Sequence, residues 1–479
     1  MITDDKWPVA RLIPISSASG VEAQERRLAS ALLAVMGAVP EFGLALLKPL
    51  GAPSGPLQVF VEVPFKLDDG KSIRPDGMIV VTRGGKSWSA ILEAKVAANQ
   101  LESTQMNTYL DLARELGFDA VISISNQYVS SSTEYPIDVD KRKLRRTALH
   151  HWSWIDLLTT ATVQKEHKGI RDPDQAYILG ELIRYLSDPR SGAVAFEGMG
   201  SSWTAVRDGV RAQTLRKGDA NVAAVAARWD DLVRYVGLVL TTALGREVRQ
   251  VLASAERTPV SRRQVLMDSL VTDGTLYADL QIPDVARPLS LRADLRTRQV
   301  TVSTSIDAPR DGTSRGRVSW LLRQLQSAPD TLKVESRIAG RSSSLAAPLG
   351  AAREDPSILY PDKGRDIRSF TVSATTNMGT KRDSGRGSFA AGVVVGAEDF
   401  YEQVLQRLRP WKASPPQLRK PSEPVEADEV IADLVGVDAS DIAEADLPDT
   451  APPEIDRQAI EEHTESASAP REVPPDDSH

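Results

Sequence analysis

The spacing of apolar positions changes character several times along this 479-residue chain. Between residues 20 and 39, Leu28, Leu32, Val35 and Val39 recur at steps of three and four, which predicts an amphipathic helix. Residues 57–67, 76–82 and 89–96 are runs rich in Val and Ile, set apart by the turn sequences DDGKS and RGGKS, and they predict three strands. Helical spacing returns over 99–116 through Leu101, Gln105, Thr108, Leu112 and Leu116, and DAVISIS at 119–125 reads as a buried strand. The predicted order is α-β-β-β-α-β.

Beyond it come a basic segment, KRKLRR at 141–146, an apolar and aromatic run, LHHWSWIDLLTTA, and a helix over 173–186. Residues 199–220 lack a strong period and are expected to join a first domain, 1–200, to a second, 220–411. The second domain is expected to be α+β. It opens with a helix over 221–253, followed by strands at 289–295 and 299–306, a helix at 316–327, strands at 331–338 and SFTVSAT, and a closing helix, AEDFYEQVLQRL. From residue 412 to 479 there are ten prolines and no aromatic residue, so this third segment is expected to be a disordered acidic tail. Within it EVIADLV, 429–435, could form a short helix on a protein partner.

Composition narrows the function classes. Hydrophobic residues make up 41% and charged residues 26%, the balance of a globular protein. No apolar run approaches the ~18 residues a membrane span needs, and the first residues, MITDDKWPVARLIP, lack the basic start and apolar stretch of a secretory signal. A cytoplasmic location without membrane attachment is expected. The chain has no cysteine, which excludes disulfides, thiol chemistry and Cys-ligated zinc. Only three histidines precede the tail, and none has metal-ligand spacing with an acid. The tail carries five Lys/Arg against eighteen Asp/Glu, a net of −13, which leaves +6 for the remainder within a total of −7. A mildly basic body suits a polyanionic partner and is equally compatible with plain solubility.

The stretch ILEAKV at 91–96 places Glu93 and Lys95 on one face of an apolar strand. A buried ion pair rarely stabilises more than an apolar pair of the same volume, so a reason other than stability is expected. Asp76 begins the preceding strand. If the two strands form a hairpin through Gly84-Gly85, Asp76 and Glu93 converge at one end of the sheet. Two carboxylates with the carbonyl of Ala94 make a hard oxygen site suited to Mg²⁺ or Mn²⁺. A lysine beside it could orient water and offset charge developing on a phosphate, the chemistry of phosphodiester hydrolysis.

The pattern Pro75-Asp76 followed by Glu93-Ala94-Lys95, in that element order, resembles the PD-(D/E)xK nuclease superfamily with its restriction-endonuclease-like fold. Gln105 and Tyr109, four apart on the following helix, resemble its RecB-like exonuclease branch. The resemblance covers residues 20–125 and implies a Mg²⁺-dependent nuclease. It implies Asp76, Glu93, Lys95 and Gln105 as catalytic residues, and Asp76, Glu93, Ala94 and an acid of the first helix as metal ligands. Candidates for that acid are Glu22, Glu25 and Glu41; Glu25 lies about 50° from the apolar stripe and Glu22 about 110°, so Glu25 is chosen. Glu62, on the first strand, is the substitute if the site is built differently. DNA is the substrate implied by the superfamily, in defence, restriction or repair; self-association is also compatible with the sequence.

Each feature has a plainer reading. P-D-G is a common turn sequence, E-x-K could be the solvent face of an edge strand, and Gln105 and Tyr109 could be ordinary helix residues. KRKLRR could be a solvated turn or a contact for phosphates. The His150, His151, Trp152 and Trp154 cluster could stack on bases, but core packing is the reading chosen. As a whole the chain could instead be a silent nuclease fold that binds nucleic acid or protein, or the second domain could be a sensor that triggers the first.

Overall fold

The computed structural model describes residues 7–13, 20–66, 70, 72–96, 99–129, 135–193, 196, 198–341, 343–379, 385 and 387–412, all within one compact unit, 1–412. Residues 413–479, and with them the expected disordered tail and the 429–435 helix, lie outside the described residues. The architecture is mixed α/β. No single described helix is long and apolar enough to cross a membrane.

The chain enters through α1 (Gly20–Ala38) and α2 (Pro40–Leu47), then β1 (Leu57–Val61). The strand expected at 57–67 breaks after Val61, because Glu62 turns the backbone to φ +49 and Pro64 follows. Its remainder becomes β2 (Phe65–Lys66), which pairs with β3 (Ser72–Ile73) as a separate small ribbon. β4 (Gly77–Arg83) and β5 (Lys86–Ala94) form a hairpin whose two turn residues, Gly84 and Gly85, have φ +55 and +77. Glycine accepts such a pair without strain, and the two-residue turn sets the register.

After α3 (Ser103–Leu116), β6 (Ala120–Ser125) joins β5 in parallel, and β7 (Ala148–Ser153) joins β6 in parallel. The sheet order is β1-β4-β5-β6-β7, with α1, α4 (Trp154–Thr162) and α5 (Pro173–Ser187) packed on one face and α3 on the other. Alternate residues of β5 serve the two faces: Leu92 and Ala94 meet the α1 side, Ile91 the α3 side. Leu28, Leu32, Val35 and Val39 are all buried, as their spacing predicts, each contributing about 2 kcal/mol by burial. On α3 the buried residues are Met106, Tyr109, Leu110, Leu112 and Ala113; of the expected stripe Leu101 and Leu112 are buried, Gln105 is half-buried, and Thr108 and Leu116 are exposed.

Among the described residues beyond α5, strands within 249–377 build a seven-stranded antiparallel sheet with its own core. The 199–220 segment, expected to be a connector, contains α6 (Trp203–Ala212), whose short stripe of Trp203, Val206 and Val210 enters that core. α7 (Ala220–Leu244) stops earlier than expected, capped by Gly245 at φ +65, and β8 (Arg249–Val251) follows. Next come α8 (Pro259–Thr272) and β9 (Thr275–Gln281), both absent from the sequence-based expectation. Then follow β10 (Leu289–Asp294), β11 (Gln299–Asp307), α9 (Ser314–Gln324), β12 (Lys333–Ile338), β13 (Ser344–Pro348), α10 (Leu349–Glu354), β14 (Ile367–Asn377) and α11 (Phe389–Phe400). The closing helix begins eight residues before the expected AEDFYEQVLQRL, its first turn capped by Ser388. The sheet order is β13-β12-β14-β11-β10-β9-β8. α4 lies against α7, and Arg234 Nη2 on α7 donates to Asp156 Oδ1 on α4 at 2.8 Å.

Candidate functional site

The P-D-G stretch is not a turn tip. Pro75 is buried, and Asp76 directly precedes β4, its carbonyl 3.4 Å from the Glu62 amide. Gly77 packs closely on α1: a Cβ there would meet Leu33 Cδ1, which would have to shift. The register Gly77 with Leu92 then sets Asp76 across from Glu93. Asp76 Oδ2 accepts a hydrogen bond from the Ala94 amide at 2.8 Å.

Glu93 is 2% exposed and saturated with donors. Its Oε1 accepts from Lys95 Nζ at 2.6 Å and from Gln105 Nε2 at 2.7 Å, and its Oε2 accepts from the Tyr109 hydroxyl at 2.8 Å. Gln105 Nε2 also lies 3.2 Å from the Tyr109 oxygen. The i, i+4 spacing on α3 stacks these two side chains on the face that meets the sheet. Glu93 and Lys95 are therefore not the solvent face of an edge strand: β5 lies between β4 and β6.

Glu25 arrives from α1 around the end of β5. Its Oε1 accepts from the Val96 amide at 3.3 Å and from Asn99 Nδ2 at 2.9 Å, while its Oε2 is 3.8 Å from Lys95 Nζ. The other acids stand elsewhere. Glu22 and Glu62 are both paired with Arg26, at 2.6 and 2.9 Å, and Glu41 accepts from the Arg171 amide. Lys95 is fixed through its backbone: its amide donates to the Ile124 carbonyl at 2.8 Å, and its carbonyl accepts from Trp154 Nε1 at 2.8 Å.

Electrostatics follow from three carboxylates around one ammonium. Burial above all, then the neighbouring Glu93 charge, push Asp76 up to about 8, against the smaller opposing effects of the Ala94 amide and Lys95. At Lys95 burial is the largest effect and favours the neutral amine, but Glu93, Glu25 and Asp76 together outweigh it and raise the pKa. Burial and the Glu93 charge also raise the Tyr109 phenol, which stays a donor.

The structure thus brings Glu25, Asp76, Glu93, Ala94, Lys95 and Gln105 to one end of the sheet. Among the described residues no group of three or more His, Asp and Glu stands in metal-ligand geometry, and the Lys95 ammonium lies between Glu25 and Glu93. By donor type the set fits a hard divalent cation: carboxylate oxygens from separate elements, one of them, Asp76, pushed up chiefly by burial. The contact that ties Ala94 to the site is its amide. Asn99 and Trp154 were not foreseen as site residues; Asn99 opens the 99–116 stretch expected to be helical but lies in the irregular segment before α3, and Trp154 was weighed for base stacking and taken as core.

The aromatic run resolves to structure. Trp152 and Trp154 are core residues, and buried His151 bonds Ser123 Oγ and the Gln127 carbonyl, both at 3.0 Å. In the basic segment Lys143 is held by Asp111 at 2.5 Å and Arg142 by Asp140 at 3.0 Å. Compared with family models, curated proteins and solved structures, the chain matches none.

Proposed function

We propose that this site is the catalytic centre of a divalent-metal-dependent nuclease of the PD-(D/E)xK type, acting on DNA by analogy with that superfamily. The observation that carries the reading is the donor-saturated Glu93 with Asp76 across the hairpin, Glu25 from the first helix and Lys95 two residues on. Four elements converge on one buried, negatively charged point, an arrangement that packing does not require.

Asp76, Glu93 and Glu25, with the Ala94 carbonyl, would hold Mg²⁺ or Mn²⁺, which when bound polarises a phosphoryl oxygen and acidifies a bound water. Lys95, kept protonated by its acidic neighbours, leaves Glu93 to donate to the attacking water or to a phosphate oxygen. Its 17% side-chain exposure gives it access to a substrate that Glu93 lacks. Gln105 donates to the same Glu93 oxygen and would keep that bond when the ammonium turns outward. Tyr109 anchors the second oxygen, so the carboxylate keeps its orientation throughout.

Cleavage of plasmid, linear duplex and single-stranded DNA, each with Mg²⁺, Mn²⁺ or EDTA, tests this on the full chain beside Lys95→Ala. Metal-dependent cutting that the variant lacks by roughly 10²–10³-fold is expected. If neither protein cuts while both bind DNA equally, the fold is a binding module and not an enzyme.

A further inference from the structure

Helices α7, α9 and α11 cover one face of the seven-stranded sheet, and the other face is open. Along β11, Thr301, Ser303, Ser305 and Asp307 point to that open face, between buried Val300, Val302, Thr304 and Ile306. It is a polar surface of short side chains. The Thr301 and Thr375 hydroxyls lie 3.0 Å apart, and those of Ser305 and Thr371 3.3 Å.

At one end of this face the charge turns positive. Arg337 of β12 stands in one row with Ser369 of β14 and Asp307 of β11. A bulge between Arg337 and Ile338 leaves Arg368 without a partner on β12, so it is exposed beside Ser369 while Ile367 and Phe370 stay in the core. These two arginines, with Arg287 and the hydroxyls of Ser305 and Ser369, line a depression of about 390 Å³. Arg287 also borders a smaller one of about 150 Å³, which adds Arg310 and the half-buried Trp411. The backbone beneath is fixed. Buried Arg317 donates Nη1 to the Ile367 carbonyl at 3.1 Å and Nη2 to the Arg310 carbonyl at 2.9 Å, and the Ala308 amide donates to the Arg368 carbonyl at 3.0 Å. The nearby acids do not neutralise the site: Asp307 pairs with Arg287, and Asp279 accepts from Ser290 Oγ at 2.6 Å. Arg337 meets only Glu335, at 3.9 Å, and its side chain is 62% exposed. Among the described residues Arg310 and Arg368 have no ion-pair partner.

We infer that this end of the sheet binds single-stranded nucleic acid, with phosphates on Arg337 and Arg368 and an unpaired base on Trp411. The guanidinium fork suits a phosphate, and the Ser305 and Ser369 hydroxyls add donors beside it. Neighbouring strands lie about 4.8 Å apart, so the two arginines reach one phosphate or two in succession. A base stacks on an indole only when it is unpaired, which selects a single strand over a duplex. An acidic peptide would engage the arginines and leave Trp411 idle. The inference does not rest on the β5 reading, and its test is run in EDTA, where metal-dependent cutting plays no part.

Fluorescence anisotropy with the full chain in EDTA would use three labelled probes: oligothymidylate, an abasic strand of the same length, and the duplex of oligothymidylate with oligoadenylate. Oligothymidylate should bind tightest. Arg337→Ala combined with Arg368→Ala, both at exposed positions, should weaken it roughly tenfold and make log affinity less steep in log salt by about 0.7 per arginine. Trp411→Ala should weaken oligothymidylate about fivefold and leave the abasic strand unchanged, since only the first has bases to stack. Arg211→Ala combined with Arg263→Ala, two exposed arginines on α6 and α8, should leave binding as it is. No binding of oligothymidylate, equal or tighter binding of the abasic strand or the duplex, or a loss in the Arg337 and Arg368 variant no larger than in this control would overturn the inference.

Discussion

At the end of β5, Glu25, Asp76 and Glu93 share a single ammonium, Lys95, whereas under α8 a comparable set of buried charges is closed by guanidinium groups. Arg262, 3% exposed, spends Nε on Asp230 at 3.1 Å, Nη1 on Glu256 at 2.8 Å and Nη2 on the Tyr277 carbonyl. Its plane lies 5.1 Å from the Tyr277 ring. Arg228 holds the adjacent Asp231 at 3.0 Å. At Glu256 burial is the largest effect and opposes ionisation, but the Tyr277 hydroxyl and Arg262 outweigh it, and the carboxyl lies below its ordinary value. Burial still pushes Asp231 up to about 6, short of the 8 reached by Asp76. The difference lies in counter-charge: under α8 two guanidinium groups serve Asp230, Asp231 and Glu256, while at β5 a single ammonium, open to solvent on its own side, serves three carboxyls.

The largest effect should come from breaking the completed cluster. Arg262→Met leaves Asp230 and Glu256 buried without their cation and is expected to cost about 3–5 kcal/mol in urea unfolding. Asp76→Asn should do the reverse. Asn replaces a carboxyl that is already protonated at pH 7, so stability should change by less than about 1 kcal/mol while cleavage falls on the order of 10²–10³-fold.

The same contrast sets a pH dependence. The folded pKa of Asp76, about 8, lies above its unfolded value of 3.8. The folded state therefore binds the extra proton, and the stability this contributes is complete below pH 4 and lost as pH rises through 8. Thermal unfolding followed from pH 5 to 9 without metal should show a falling midpoint that Asp76→Asn flattens. The smallest effect on cleavage is at the support. Trp154→Phe removes the bond to the Lys95 carbonyl and part of a fully buried ring, with an expected loss of about 2 kcal/mol in urea unfolding and a cleavage only several-fold slower, the smallest change in that assay.

The two regions also differed in how much their sequence disclosed. Around the β5 site the apolar periods of α1, β4 and β5 were legible, the Gly84-Gly85 turn fixed the hairpin, and Asp76, Glu93, Lys95, Glu25 and Gln105, named from the spacing and the resemblance together, meet at one end of the sheet. Glu25 was chosen by its angle to the apolar stripe, and its 6% exposure agrees with that choice. Asn99 could not be found this way, because its contact with Glu25 spans seventy-four residues and belongs to no repeat. α8 was hidden for a physical reason. Its buried line is Arg262, Leu266 and Leu270, so a cation occupies the first core position and breaks the apolar period. β9 follows only two residues later and was lost with it. β13 and α10 are five and six residues long, too short for a period to stand out.

Calorimetric titration of the full chain with Mn²⁺ at pH 7, repeated in buffers of different ionisation enthalpy, bears most directly on the β5 cluster being short of a cation. One bound ion with release of about one proton, lost in Asp76→Asn, is the predicted result. Absence of binding, or equal binding by the variant without proton release, would contradict it.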